Sequence, residues 1–143
     1  MQIAALIAQR PPEAVVTVTP DTGVAEALRL LAERRIGAVP VLENEQLLGI
    51  FSERDAIYGL AAHGSGWLAG TVGAAMTSPA VTATPATTVL EALALMTRRR
   101  VRHLPVLEHG RMCGFVSIGD LVKSRLDEIE GEAEAMRQYI STA

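Results

Sequence analysis

The chain of 143 residues holds one cysteine, one tryptophan, two phenylalanines and two tyrosines. The lone Cys113 excludes an intrachain disulfide and fits a reducing compartment; its expected place is in a strand, as a small apolar side chain. With so few rings there are no aromatics interleaved among the basic residues, which argues against a stacking platform for single-stranded nucleic acid. Excess basic charge is missing too: the net charge of −3 argues against a nucleic-acid surface as the main role. The only apolar stretch at the N-terminus, Met1 to Gln9, lacks a basic leader and is far too short to cross a bilayer, so a soluble, cytoplasmic protein without a membrane partner is expected. The three histidines, His63, His103 and His109, fall without metal-ligand spacing, and no Cys–His or Ser–His–Asp arrangement can be assembled. The expectation is therefore a protein that is not an enzyme and has no catalytic residues, metal site or catalytic cofactor.

What is present is aliphatic and repeated. Apolar residues make up 49% and charged residues 20%, a globular balance at a length that can bury a sizeable core. Shifted by 65 positions the sequence meets a second copy of its own pattern: Pro20 falls on Pro85, Glu26 on Glu91, Pro40 on Pro105, Gly49 on Gly114, Ser52 on Ser117 and Asp55 on Asp120. From Val15 to Ile57 no gap is needed, and roughly two positions in five are identical. Two copies of one unit commonly stack about a pseudo-twofold axis, which creates two equivalent clefts.

Each copy reads as β-α-β-β-α. Val15–Val18 is a β-branched run that ends at Pro20 and predicts a short strand. Val24, Ala27, Leu28 and Leu31 form one helical face, repeated by Val89, Ala92, Leu93 and Met96, with Thr88 and Glu91 as a capping box. Ala38–Leu42 and Leu47–Phe51 predict a hairpin across the loop Glu43–Gln46; Leu104–Leu107 and Met112–Val116 predict another across Glu108–Arg111. A second helix follows each. His63 to Gly70 reads as a linker with Trp67 as a packing anchor, so that 1–70 holds the first repeat and 71–143 the second. Beyond Asp120, the residues Val122, Leu126, Ile129, Ala133, Met136 and Ile140 are spaced as a heptad-like seam on one long helix, although Gly131 weakens its continuity. The first half of that seam is expected to pack partly on the domain, and the second half on a partner helix, which makes a homodimer the expected assembly.

The chemistry concentrates where each hairpin meets its second helix. Gly49-Ile50-Phe51-Ser52-Glu53-Arg54-Asp55 and Gly114-Phe115-Val116-Ser117-Ile118-Gly119-Asp120 both place Ser at a helix N-cap and Asp three residues on. On one reading such a pair only satisfies free backbone donors. It can also serve a nucleotide: the helix N-terminus attracts phosphate, the carboxylate accepts from the two ribose hydroxyls, and the Ser hydroxyl donates. The basic run Arg98, Arg99, Arg100 complements a helix C-terminus and is expected to face solvent.

The duplicated unit, Ile36-Gly37-Ala38-Val39-Pro40-Val41 with its partner Val101-Arg102-His103-Leu104-Pro105-Val106, the twin Gly-x-x-Ser-x-x-Asp segments and the lead-in Thr71–Thr77 together resemble a tandem pair of CBS domains, or Bateman module, over essentially the whole chain. The resemblance implies an α+β fold of two pseudo-twofold-related repeats packed sheet to sheet, standing alone, with a long C-terminal helix. It also implies binding of adenosine-containing ligands, AMP foremost, otherwise ADP, ATP, NAD(H) or S-adenosylmethionine, in crossed clefts. One cleft would combine Ser52, Arg54 and Asp55 with Thr77, Val81, Val101, Arg102, His103 and Pro105; the other would combine Ser117 and Asp120 with Val16, Ile36, Gly37, Ala38 and Pro40. Arg54, Arg102 and His103 are expected to make the Asp55 cleft the phosphate-rich one, because Gly119, Gly37 and Ala38 at the matching positions bring no charge. The function expected is a regulatory sensor that passes energy or redox state to an unidentified partner. The alternative is a structural oligomerisation protein with no physiological ligand.

Overall fold

The computed structural model describes residues 1–142. A short helix α1 (Ile3–Ile7) leads into the first repeat, made of α2 (Val24–Arg34), β1 (Ala38–Glu43), β2 (Gln46–Ser52) and α3 (Glu53–His63). A 3-10 segment, Ser65–Ala69, and a one-turn helix α4 (Val72–Ala75) connect to the second repeat: α5 (Val89–Arg99), β3 (His103–Glu108), β4 (Arg111–Ser117) and α6 (Ile118–Thr142). The fold is α+β, with two antiparallel hairpins whose second strands, β2 and β4, lie against each other across the pseudo-twofold.

The apolar periodicity builds the two cores. Val24, Ala27 and Leu31 of α2 are buried with Val39, Val41 and Phe51 of the first hairpin. Val89, Ala92 and Met96 of α5 are buried in the same way with Leu104, Val106 and Val116. Helix α5 opens on the expected box, Thr88 Oγ1 accepting from the Glu91 N–H and the Glu91 carboxylate from the Thr88 N–H. Trp67 anchors the linker by stacking on Phe51 at 6.4 Å, and its indole fills the space over Gly59, where a Cβ would come within 2.1 Å of the ring.

Each core also takes one fully buried residue from a lead-in, with others packed beside it. Ile3 of α1 is fully buried in the core of the second repeat, and Val72 of α4 in the core of the first. The two dockings are equivalent. The Ile3 N–H donates to the Thr87 carbonyl and the Val72 N–H to the Thr22 carbonyl, while Gln2 bridges Thr88 and Thr71 bridges Gly23. The lead-ins are offset by 69 positions (Gln2 to Thr71) and the repeats by 65 (Val15 to Ala80), so the connection from α1 into the first repeat is four residues longer than its counterpart.

Three expectations need correction. The first strand of each unit is reduced to one residue: only Val18 pairs with Val41, and only Ala83 with Val106, in parallel. Immediately afterwards the chain turns away, with the Thr19 N–H donating to Thr22 Oγ1 and the Thr84 N–H to Thr87 Oγ1, so the backbone cannot continue a ladder. The hairpin loops are two residues long rather than four: Asn44-Glu45 and His109-Gly110 all have positive φ, the twist that a tight hairpin demands. Helix α6 runs unbroken through Gly131, and its packed face is Leu121 and Ser124, not the heptad-like seam. Val122, Leu126 and Ile129 are exposed along with Met136 and Ile140, so the whole stripe faces outward.

Candidate functional site

Helices α3 and α6 begin where their hairpins end, and at both starts the Ser–Asp pair divides its work between two carboxylate oxygens. In the first repeat, Ser52 Oγ accepts from the Asp55 N–H at 3.3 Å, and Asp55 Oδ2 accepts from the Ser52 N–H at 2.9 Å and the Ser52 hydroxyl at 3.1 Å. In the second, Ser117 Oγ accepts from the Asp120 N–H at 3.2 Å and Asp120 Oδ2 from the Ser117 N–H at 2.8 Å. One oxygen closes the cap; the other takes a partner from outside its own helix. Capping and ligand binding are therefore compatible roles of one side chain.

The outward oxygens meet different partners. Asp55 Oδ1 accepts a 2.7 Å hydrogen bond from the Thr77 hydroxyl. Asp120 Oδ1 accepts from Arg10 Nη2 at 2.5 Å, and Arg10 Nη1 donates to Asp120 Oδ2 at 3.1 Å, a bidentate ion pair. Burial alone would raise the Asp120 carboxyl, but Arg10 and the Ser117 N–H outweigh it and hold Asp120 below the usual carboxylate range. The hydrogen bond to Asp120 raises Arg10 in turn.

Around Asp120 lies a cavity of about 380 Å³, within the range of small-molecule sites. Val16, Ile36, Gly37, Ala38, Ser117 and Asp120 all line it, so the structure brings together residues of both repeats that the sequence assigned to this cleft. Pro40 is the exception: it is buried in the hairpin, and its carbonyl accepts from the Val18 N–H. Gly37 allows a close approach, since a Cβ there would stand 2.7 Å from Glu53 Oε1 and 3.3 Å from His103 Cε1.

The second set of residues is less gathered. Ser52, Asp55 and Thr77 share one hydrogen-bonded cluster. Val81 and Val101 pack against the second core, while Pro105 is buried and its carbonyl accepts from the Ala83 N–H. The Arg54 guanidinium donates to the Arg100 carbonyl at 2.6 Å. Arg102 is exposed, and its carbonyl accepts from the Ile118 N–H. His103 lines the Asp120 cavity, its ring stacked on Phe115 at 5.6 Å. Burial holds the His103 imidazolium below its ordinary pKa, against the raising pull of Asp120 and Glu53.

The expected absence of charge near Asp120 is thus overturned. Arg10, Arg35 and His103 all line its cavity, together with Ala14, Val15 and Phe115, and of these only His103 has a sequence-based assignment to a cleft, the opposite one. Arg35 carried a signal, because it matches Arg100 across the repeat and both take the left-handed conformation at a helix end, φ 54 and 53. Arg10 carried none, since it precedes the gapless register.

A model of the CBS domain matches residues 8–62 and again 72–127. The chain belongs to the CBS domain family. Among solved structures, a CBS-domain-containing protein from Agrobacterium tumefaciens is 39% identical with a TM-score of 0.82, covering 87% of this chain and 99% of its own. Among curated relatives, the mitochondrial CBS domain-containing protein CBSX3 of Arabidopsis thaliana is 36% identical over 127 residues, which span 85% of this chain but only 62% of CBSX3. A crystal structure of CBSX2 in complex with AMP is 26% identical with a TM-score of 0.76, covering 88% of this chain and 96% of the other. Two CBS domains in tandem account for the 65-residue echo. Among the described residues no helix is long and apolar enough to cross a membrane.

Proposed function

We propose that this CBS pair is a regulatory module that binds an adenine nucleotide between its repeats, AMP foremost and ADP, ATP, NAD(H) or S-adenosylmethionine otherwise. The observation that carries the reading is the Asp120 cavity. Apolar walls from Val16, Ile36, Ala38 and Phe115 suit the faces of a base, Asp120 suits a ribose diol, and Arg10 with Arg35 suits a phosphate. AMP in the related CBSX2 structure supports the choice of ligand class. The Asp55 cluster offers the same carboxylate with a hydroxyl, Thr77, in place of a guanidinium, and stands as the second ribose site. Of the two, the Asp120 cleft is the one suited to phosphate.

Nothing in this role requires catalysis. A ligand that touches both repeats stabilises one arrangement of them, and the surface offered to the regulated partner shifts with it. That surface includes a stripe on the two second helices: Ile57 and Tyr58 of α3, both 65% exposed, and Val122, Leu126 and Ile129 of α6, continued by Met136 and Ile140. Ile57 and Val122 correspond across the repeat, and the apolar stripe suits a second copy of this chain.

Calorimetric titration with AMP on the wild type, Asp55→Ala and Asp120→Ala tests the reading. Binding should be lost from one cleft in each variant, with the greater loss in Asp120→Ala. Saturation at about 100 times Kd stabilises by about 2.7 kcal/mol, enough to raise the melting temperature by several degrees. The capping boxes favour one competing role, in which both Asp residues only hold their helices and the module serves assembly alone. No melting shift with AMP, ATP, NAD(H) or S-adenosylmethionine would select it.

A further inference from the structure

Asp120 is not offered freely to a ribose. A carboxylate has about four lone-pair positions; the Ser117 N–H and Arg10 Nη1 take two at Oδ2, and Arg10 Nη2 takes one at Oδ1. A ribose diol engaging both oxygens finds a single position left, so at least one Arg10 contact must break before it can bind. The displaced guanidinium does not have far to go. It lies at the cavity wall, its side chain is 48% exposed, and it stands on a connection of non-regular backbone and one 3-10 turn. That connection is the one with four extra residues, and in the other repeat the outward carboxylate oxygen, Asp55 Oδ1, accepts from the Thr77 hydroxyl instead of a guanidinium. A hydroxyl can rotate aside without leaving a charge unpaired; a guanidinium cannot.

Resting on the nucleotide reading above, we propose that Arg10 is the specificity-determining residue of the Asp120 cleft: it holds the carboxylate that the ribose needs and exchanges it for an anionic group of the ligand. A nucleotide with a phosphate replaces the lost ion pair with another bidentate, charge-assisted contact, seconded by Arg35 from the opposite repeat. A neutral nucleoside takes Asp120 away from Arg10 and returns nothing. The exchange sets a preference for phosphorylated ligands that acts through competition as well as attraction. It also ties ligand binding to the segment between α1 and the first repeat, since the guanidinium must leave one partner for another.

Calorimetric titration with AMP and with adenosine, on Asp55→Ala protein to isolate the Asp120 cleft, separates the possibilities. Adding Arg10→Ala should weaken AMP by about tenfold or more, the scale of a charged hydrogen-bonded contact, and leave adenosine unchanged or tighter, so that the AMP-to-adenosine preference collapses. Arg10→Gln, which keeps the length without the charge, should move both affinities in the same directions. The same pair of titrations on Arg10→Ala alone guards against a poorly folded double variant. An equal loss of AMP and adenosine would make Arg10 a structural clamp and overturn the exchange, as would an unchanged preference. Failure of AMP to bind the wild type at all would instead overturn the nucleotide reading on which the exchange rests.

Discussion

Replacing Ile3 by alanine tests whether the lead-in helix α1 belongs to the core of the second repeat. Ile3 is fully inaccessible and packs among Val89, Met96, Leu104, Val116 and Leu121. The change removes three buried carbons, which at about 0.8 kcal/mol each give ~2.4 kcal/mol of lost transfer free energy. Incomplete collapse around the hole raises the expected loss to about 3–4 kcal/mol, inside the usual 2–5 kcal/mol for Ile→Ala in a core. No hydrogen bond is sacrificed, because the Ile3 N–H reaches the Thr87 carbonyl through the backbone. With a urea slope of about 1–3 kcal/mol/M, the unfolding midpoint should fall by roughly 1–4 M at fixed protein concentration, with the slope unchanged. Val72→Ala, its counterpart on the other repeat, should also lower the midpoint, by less because fewer carbons go; Leu90→Ala, on an exposed position outside the α3–α6 stripe, should leave it nearly unmoved. A midpoint shift below about 0.3 M for Ile3→Ala would refute the argument, because α1 would then rest on the second repeat without stabilising it.

Gly59→Ala drives a methyl into the Trp67 ring, so a loss of about 1–3 kcal/mol and a melting point lower by several degrees are expected, both relieved when Trp67 is also cut to leucine. His103 is held below its ordinary pKa by burial, so the folded state takes up the proton less readily than the unfolded chain. Its contribution is therefore complete above about pH 6.5 and lost as pH falls from there through the lower folded value, and His103→Gln should flatten that part of the melting-temperature profile. An identical profile in the variant would sink this. Leu126→Glu combined with Ile129→Glu places charge in the exposed stripe of α6 and should halve the solution mass measured by light scattering without lowering helix content; a wild type that is already monomeric would dismiss the dimer.

How much of this was legible in the sequence depends on which copy a residue belongs to. Within the 65-residue echo, local pattern and tertiary outcome agree for the helices, the hairpins and the caps: the α2 and α5 faces are buried, the hairpins form, and Ser52–Asp55 and Ser117–Asp120 stand at helix starts. Local pattern misjudged what tertiary geometry decides. Val15–Val18 has the composition of a strand, yet a turn closed by Thr22 leaves only Val18 to pair. The α6 stripe has the spacing of a packed seam, yet the domain takes the neighbouring face through Leu121 and Ser124.

The charge of the clefts was misjudged for a different reason. Comparing the copies position by position set Arg54 against Gly119 and Arg102-His103 against Gly37-Ala38, and on that comparison alone Asp55 has the cations. The fold spends them elsewhere: Arg54 on the Arg100 carbonyl, Arg102 in solvent, His103 on the wall of the other cavity. The cation that pairs with Asp120 comes from residue 10, in a connection that has no aligned partner because it is four residues longer than its counterpart. Two copies of one unit can only produce two like clefts; a difference between the clefts must come from substitutions within the copies or from chain that lies outside them. Here Arg35 and His103 come from within the copies, but the cation paired with the carboxylate comes from ahead of the gapless register, because extra residues in a connection are under no obligation to satisfy either core and can carry a guanidinium to a carboxylate 110 positions away. In a duplicated fold of this kind, the segments that break the repeat are therefore the first place to look for what distinguishes its two sites.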